Sequence, residues 1–194
     1  MRQRAVSVDV TRRRITEAAV RLHTSVGPSA TSFAAVADEA GVTRLTLYRH
    51  FSSKEELFAA CMTHWRAAHP APDAERWGRI RSFERRLRTA IDEMYRWYAA
   101  NAADLYPIYR DVAFTPDATQ RARRANVEHM VAVLLDGVAP SGELRAALGH
   151  VLGYGTWRSL TVDEASSHEA AVDLAARFVL AARRAGRRRV HDVQ

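Results

Sequence analysis

Residues 31–58 read TSFAAVADEAGVTRLTLYRHFSSKEELF. Phe33, Val36, Ala37 and Ala40 stand at i, i+3, i+4 and i+7, which gives a helix one apolar face. Thr31 or Ser32, just ahead, is placed to cap its first free N–H groups. Gly41 stops the helix, because glycine enters the left-handed conformation without a Cβ clash. Val42 then turns back to the core, and Thr43 caps a second helix over residues 44–51. In that helix Leu47 and Phe51 face inward, whereas Arg44, Leu45, Tyr48 and Arg49 face outward. Two short helices joined by a glycine turn, the second with a polar and basic outer face, make a helix-turn-helix suited to a major groove.

At residues 35–58, AVADEAGVTRLTLYRHFSSKEELF, the chain resembles the signature of TetR-family transcriptional regulators. The resemblance covers roughly the first third of the chain. One position departs from it: Leu45 stands where the family usually has a small residue. In the recognition helix Arg44 can bond bidentately to guanine O6 and N7, and Leu45 can press on a thymine methyl. The resemblance implies further contacts from Thr31, Thr43, Thr46, Tyr48, His50 and Lys54, mostly to the DNA backbone, where they position the protein without reading sequence. Lys54 is the only lysine, at the start of the fourth helix, where the family places a phosphate contact.

With 194 residues, 47% of them hydrophobic, the chain can form a substantial core. No apolar run approaches the ~18 residues of a membrane span, and no secretory signal opens the sequence, so a cytoplasmic, membrane-free protein is expected. Cys61 is the only cysteine, which excludes an internal disulfide. The net charge of +7 is concentrated at the two ends, with a near-neutral middle; a basic end beside a helix-turn-helix suits phosphate. The C-terminal run Arg183-Arg184 and Arg187-Arg188-Arg189 reads as a solvated, frayed tail.

Enzyme readings find little support. Gly153-Tyr154-Gly155 lacks the third glycine and the preceding strand of a dinucleotide loop, and no nucleophile stands beside a base. Cys61 and His64 have an i, i+3 ligand spacing with His69 nearby, but no second cysteine or acid completes a set. A core cysteine with two incidental histidines is the expectation, with no metal or cofactor.

In chain order, residues 1–10 lack periodicity and read as disordered. The first helix is expected from Asp9 or Thr11 to Val26, with Arg12, Arg13 and Arg14 placed against the helix dipole, where a DNA backbone alongside or plain solvation of each arginine accounts for them equally well. Gly27-Pro28 ends it. The fourth helix opens with a capping box, Ser53 with Glu56 or Ser52 with Glu55, and its free N–H groups with Lys54 form an anion site. Further helices are expected over 77–101, 103–114 (bent or restarted at Pro107), from Thr115-Pro116-Asp117 onward, 143–162 and 167–184. Nothing alternates at period two, so the fold class is all-α, about nine helices, divided into a DNA-binding part, 1–56, and a C-terminal ligand-binding and dimerisation bundle, 57–194.

The last two helices mix small residues with Leu148, Leu152, Leu174 and Phe178, a pattern that fits an ordinary intramolecular hairpin or the close four-helix interface of a homodimer; the resemblance implies the homodimer, which would read two half-sites. The aromatic-rich middle, with Trp65, Phe83, Leu87, Met94, Tyr98, Tyr109, Met130, Tyr154 and Trp157, exceeds what a small bundle needs and offers walls for a ligand; the resemblance implies an inducer pocket there. The expected protein is a repressor released from a palindromic double-stranded operator by a small, largely apolar effector. The alternative is a DNA-binding module whose bundle only dimerises or holds a protein partner.

Overall fold

The computed structural model describes residues 2–191, with side-chain environments for residues 8–185. Among these the structure is helical throughout, with no strand. The helices are α1 (Arg2–Ser25), α2 (Phe33–Glu39), α3 (Arg44–His50), α4 (Lys54–Ala68), α5 (Ala74–Gly78), α6 (Phe83–Ala100), α7 (Ala102–Arg110), α8 (Asp117–Leu134), α9 (Gly142–Val151), α10 (Tyr154–Arg158) and α11 (His168–His191). A 3-10 turn, Val112–Phe114, precedes α8, and a π-helical turn, Ser159–Asp163, follows α10.

Several expectations are corrected. α1 begins at Arg2 rather than near Asp9, so residues 2–10 are helical. The segment expected as one helix over 77–101 is two, because the chain leaves α5 at Arg79 and restarts at Phe83. The helix expected over 143–162 breaks at Gly153, whose N–H bonds back to the His150 carbonyl and whose extended backbone starts α10. α7 runs through Pro107 without a restart. α11 continues to His191, past the point where a frayed tail was expected. These divisions raise the helix count from about nine to 11.

The chain folds as two compact units. The first holds residues up to 70 together with 101–122, so that α7 belongs with α1 to α4 and packs along α1. Its core is Ile15, Ala18 and Ala19 of α1 against Val36, Ala37, Leu47, Phe51, Leu57 and Cys61. Each fully buried large side chain of this set contributes roughly 1.5–3 kcal/mol. The second unit holds 71–100 and the residues from 123 onward. There α11 packs on α6 and α9, around Leu87, Ile91, Tyr95, Leu134, Leu144 and Leu148. Arg86, 3% exposed, is a charge inside this apolar set. It donates to the carbonyls of Leu134 and Asp136 at 2.8 and 2.6 Å, which satisfies the free acceptors at the end of α8 and places a cation where the helix dipole favours it.

Candidate nucleic-acid interface

The helix-turn-helix is set by its caps. Ser32 Oγ accepts from Ala35 N–H at 3.1 Å, which selects Ser32 over Thr31 as the cap of α2. Gly41 has φ +61°, its N–H bonds to the Asp38 carbonyl, and the Val42 N–H reaches the Ala37 carbonyl. That pair of bonds is the Schellman ending, and it requires the left-handed residue between them. Thr43 Oγ1 accepts from Thr46 N–H at 3.2 Å and opens α3. Ser53 Oγ accepts from Glu56 N–H at 3.2 Å and opens α4. The Glu56 carboxylate reaches one residue further back than a capping box requires, accepting from the N–H and hydroxyl of Ser52. Those bonds, the Ser52 N–H first, with Arg12 beside them, hold Glu56 below the usual carboxylate range.

On α3, Leu47 and the following Phe51 are fully buried. Arg44 is exposed, Leu45 is 62% exposed and Tyr48 55%. The Tyr48 ring also leans on Phe33 of α2, with centroids 5.2 Å apart. Thr43 and Thr46 join hydroxyls at 2.9 Å, and His50 is half-buried at the end of α3. Thr31, Tyr48 and Lys54, from three different elements, line one open groove with Ser52 and Ser53. Of the candidate contacts, Thr31, Tyr48 and Lys54 thus share a groove, whereas Thr43, Arg44, Leu45, Thr46 and His50 do not line it.

Three features had no signal in the local sequence. Arg12 does not stand free beside Arg13 and Arg14. It donates to the His50 carbonyl at the end of α3 and to Glu56 Oε1 at 3.0 Å, and its guanidinium lies 4.1 Å from the Phe51 ring centre. It thus ties α1 to both helices that flank the recognition surface. Asp111, after α7, accepts from the N–H and hydroxyl of Ser29 and pairs with Arg110 at 2.8 Å. Arg110 first, and Ser29 next, hold its carboxyl far below the usual range. Arg110 also donates to the Val26 carbonyl. Gly27 has φ +94°, and a Cβ there would overlap the Asp111 carboxylate and the Arg110 guanidinium. Third, His23 is 8% exposed with its Nδ1 lacking any partner, and burial pushes its pKa down to about 4.

The remaining candidates fall as follows. Cys61 is buried, its Sγ bonds to the Thr16 carbonyl, and burial pushes its thiol up to about 12. His69 stacks on Trp65 at 4.4 Å, and Trp65 Nε1–H donates to Asp104. Phe83, Leu87, Met94 and Met130 are core residues of the second unit. Tyr98, Tyr154 and Trp157 pack ring on ring, with centroids 5.3 to 5.8 Å apart, and the Tyr98 hydroxyl donates to the Leu152 carbonyl. Tyr109 is half-buried in α7. Leu148 and Leu152 are fully buried within the protomer, whereas Leu174 and Phe178 are 46% and 52% exposed on α11. Among the described residues no helix is long and apolar enough to cross a membrane.

Residues 15–61 match the family model of bacterial regulatory proteins, tetR family. The helix-turn-helix is of the tetR family. The model ends just before the last turns of α4, so the match spans the first core and both helices of the reading head. Solved structures of similar fold extend the likeness. A TetR-like transcriptional regulator from Rhodococcus sp. RHA1 is 23% identical with a TM-score of 0.55, over 88% of this chain and 94% of that one. A TetR transcription regulator from Haloarcula marismortui is 19% identical with a TM-score of 0.59, over 89% and 98%. The multidrug binding protein EbrR, complexed with imidazole, is 21% identical with a TM-score of 0.58, over 86% and 93%. No curated protein matches the chain. The fold beyond the tetR-family segment is thus that of TetR-like transcription regulators.

Proposed function

We propose that the protein is a DNA-binding transcription regulator that grips a palindromic operator as a homodimer and is released from it by a small effector. The observation that carries the first part is the outer face of α3. Arg44, Leu45 and Tyr48 project together from a helix whose ends and turn are fixed by local caps. A bidentate arginine reads guanine and an exposed leucine reads the thymine methyl. Thr31, Tyr48 and Lys54 beside them hold phosphate and set the register. Exposure of Leu174 and Phe178 on α11 supports dimerisation through that helix; Leu148 and Leu152 then act by holding α9 against α11 rather than by touching the partner.

The role in transcription is repression relieved by ligand. Buried polar atoms without a hydrogen-bond partner, His23 Nδ1 and the Tyr95 hydroxyl among them, support an effector reading, because a native fold rarely leaves such atoms without a partner. A second reading, a module whose C-terminal unit only dimerises or binds a protein, is favoured by the ring-on-ring packing of Tyr98, Tyr154 and Trp157, which fills that unit as core. Selection of binding sites from a random double-stranded library, followed by gel shifts with the enriched sequence, tests the proposal. Enrichment of a two-fold symmetric site is expected. Failure to enrich any site with the wild-type chain, or equal enrichment with Arg44→Ala, would overturn it.

A further inference from the structure

Arg12, Arg13 and Arg14 follow one another in α1, and the structure separates them. Arg13 and Arg14 are exposed, whereas Arg12 is half-buried. The Arg12 guanidinium lies over the Phe51 ring, 4.1 Å from its centre. One terminal nitrogen donates to the carbonyl of His50, the last residue of α3, and the other to Glu56 Oε1 at 3.0 Å. A cation at a helix C-terminus sits where the free carbonyls and the helix dipole favour it. α3 has only 7 residues, and a helix that short does not hold itself together in water. Its last turn therefore depends on the groups that pack and bond against it.

The arm to Glu56 reaches further. The other carboxylate oxygen, Oε2, accepts from the Ser52 N–H at 2.9 Å and from the Ser52 hydroxyl at 3.1 Å. Ser52 lines the groove that also holds Thr31, Tyr48 and Lys54, and neither Arg12 nor Glu56 lines it. Those two face a separate shallow depression instead, with Thr16 of α1 and Ala59 and Thr63 of α4. Arg12 thus compensates the acid that holds the edge of the groove, from a position behind it. Without the guanidinium, that carboxylate would stand uncompensated beside a site meant for phosphate.

We propose that Arg12 is a positioning residue for sequence readout: it sets the end of α3 and, through Glu56, the Ser52 edge of the groove, and it makes no contact with DNA itself. The effect on readout rests on the regulator reading above. Base contacts specify sequence, whereas contacts to phosphate carry binding to any duplex. A loosened α3 therefore costs the preferred sequence more than an unrelated one. A direct phosphate contact by Arg12 would cost both alike.

Gel shifts of the full chain with the enriched DNA and with an unrelated duplex, at several salt concentrations, give the ratio of the two affinities and the salt slope. Arg12→Gln is expected to lower the ratio about tenfold, as loss of one charge-assisted hydrogen bond implies, with the slope unchanged. Arg12→Lys keeps the charge but has no planar fork to lay on Phe51 while serving a carbonyl and a carboxylate, so it should lower the ratio too. Glu56→Gln removes an acid near the groove and should likewise lower the ratio, where simple electrostatics would strengthen binding to both duplexes alike. Equal loss on both duplexes with a slope reduced by about one, and recovery in Arg12→Lys, would mark a phosphate contact. Equal loss on both with the slope intact would mark a role in folding alone. Either result overturns the proposal. Amide hydrogen exchange of the DNA-free protein decides the positioning separately. In Arg12→Gln, exchange at Phe51 and Ser52 should quicken about tenfold while Ala19, deep in the same core, keeps its rate. Unchanged exchange at Phe51 and Ser52, or equal quickening at Ala19, overturns it. A wild-type chain with no preference between duplexes is failure of the regulator reading, and exchange still decides what Arg12 holds in that case.

Discussion

Asp111 holds Ser29, 82 residues earlier in the chain, by two hydrogen bonds, one from its backbone N–H and one from its hydroxyl. The loop so held runs from the end of α1 into the cap of α2, so the start of the helix-turn-helix is fixed by a residue that follows α7. Gly27→Ala tests how tightly. The substitution meets both a left-handed backbone and the Arg110–Asp111 pair, and it is expected to cost roughly 1–3 kcal/mol. Chemical denaturation measures the loss, and a shift below about 0.5 kcal/mol would mean that the loop can move away without penalty. Asp111→Asn should also lower stability near neutral pH. Because the folded carboxyl is held below its unfolded value, the wild-type advantage is present above the unfolded pKa and fades as pH falls through the acid range.

His23 makes stability depend on pH in a different window. Its pKa is lowered from 6.5 to about 4 by burial, so between those values the unfolded chain binds more protons than the folded one. Stability therefore falls as pH drops from about 6.5 to about 4, by at most about 3 kcal/mol from this residue. His23→Phe should flatten that part of the profile. Parallel curves for the two proteins over this range would show that the ring is not neutral and buried as described.

Arg44 and Lys54 are expected to fail in different ways. Arg44→Ala should cost about 1–3 kcal/mol at one base pair and relax the preference there. Lys54→Ala should weaken binding to every sequence alike and reduce the slope of log affinity against log salt by about one. Gel-shift titrations at several salt concentrations separate the two, and exchange of the two phenotypes would reverse the assigned roles.

Phe178→Glu is expected to give a monomer. The side chain is half exposed in the protomer, so the charge is tolerated there but would be buried without a partner in an interface on α11. Sedimentation reads the state, and a variant that stays dimeric moves the interface to another surface.

The reading head was legible because each of its signals is local. Ser32, Thr43 and Ser53 bond within three residues of themselves, and Gly41 is needed at one backbone position, so a few adjacent letters suffice. Leu47 and Phe51 were placed inward by spacing alone. Arg12 was not legible: its partners are His50 and Glu56, and in sequence it is one of three consecutive arginines with no mark to single it out. Asp111 and His23 were missed for the same reason, since Asp111 is held by Ser29 of the loop after α1 and His23 lies against Phe58 of α4. The helix breaks at Gly153 and after Gly78 were missed because apolar periodicity continues across them, and only the backbone departs. The aromatic set was found as residues but not as a place, because composition cannot tell a filled core from a wall.

α1 has a further consequence. Arg12, within α1, grips the end of the recognition helix, and Val26, the residue just after α1, has its carbonyl held by Arg110. At ~1.5 Å per residue they are separated by roughly 21 Å. A rod has no soft joint in which to absorb a twist applied at one end. A displacement of the residues after α7 that pulls on Val26 is therefore expected to reach the Arg12 guanidinium beside Phe51 and, through it, the end of α3.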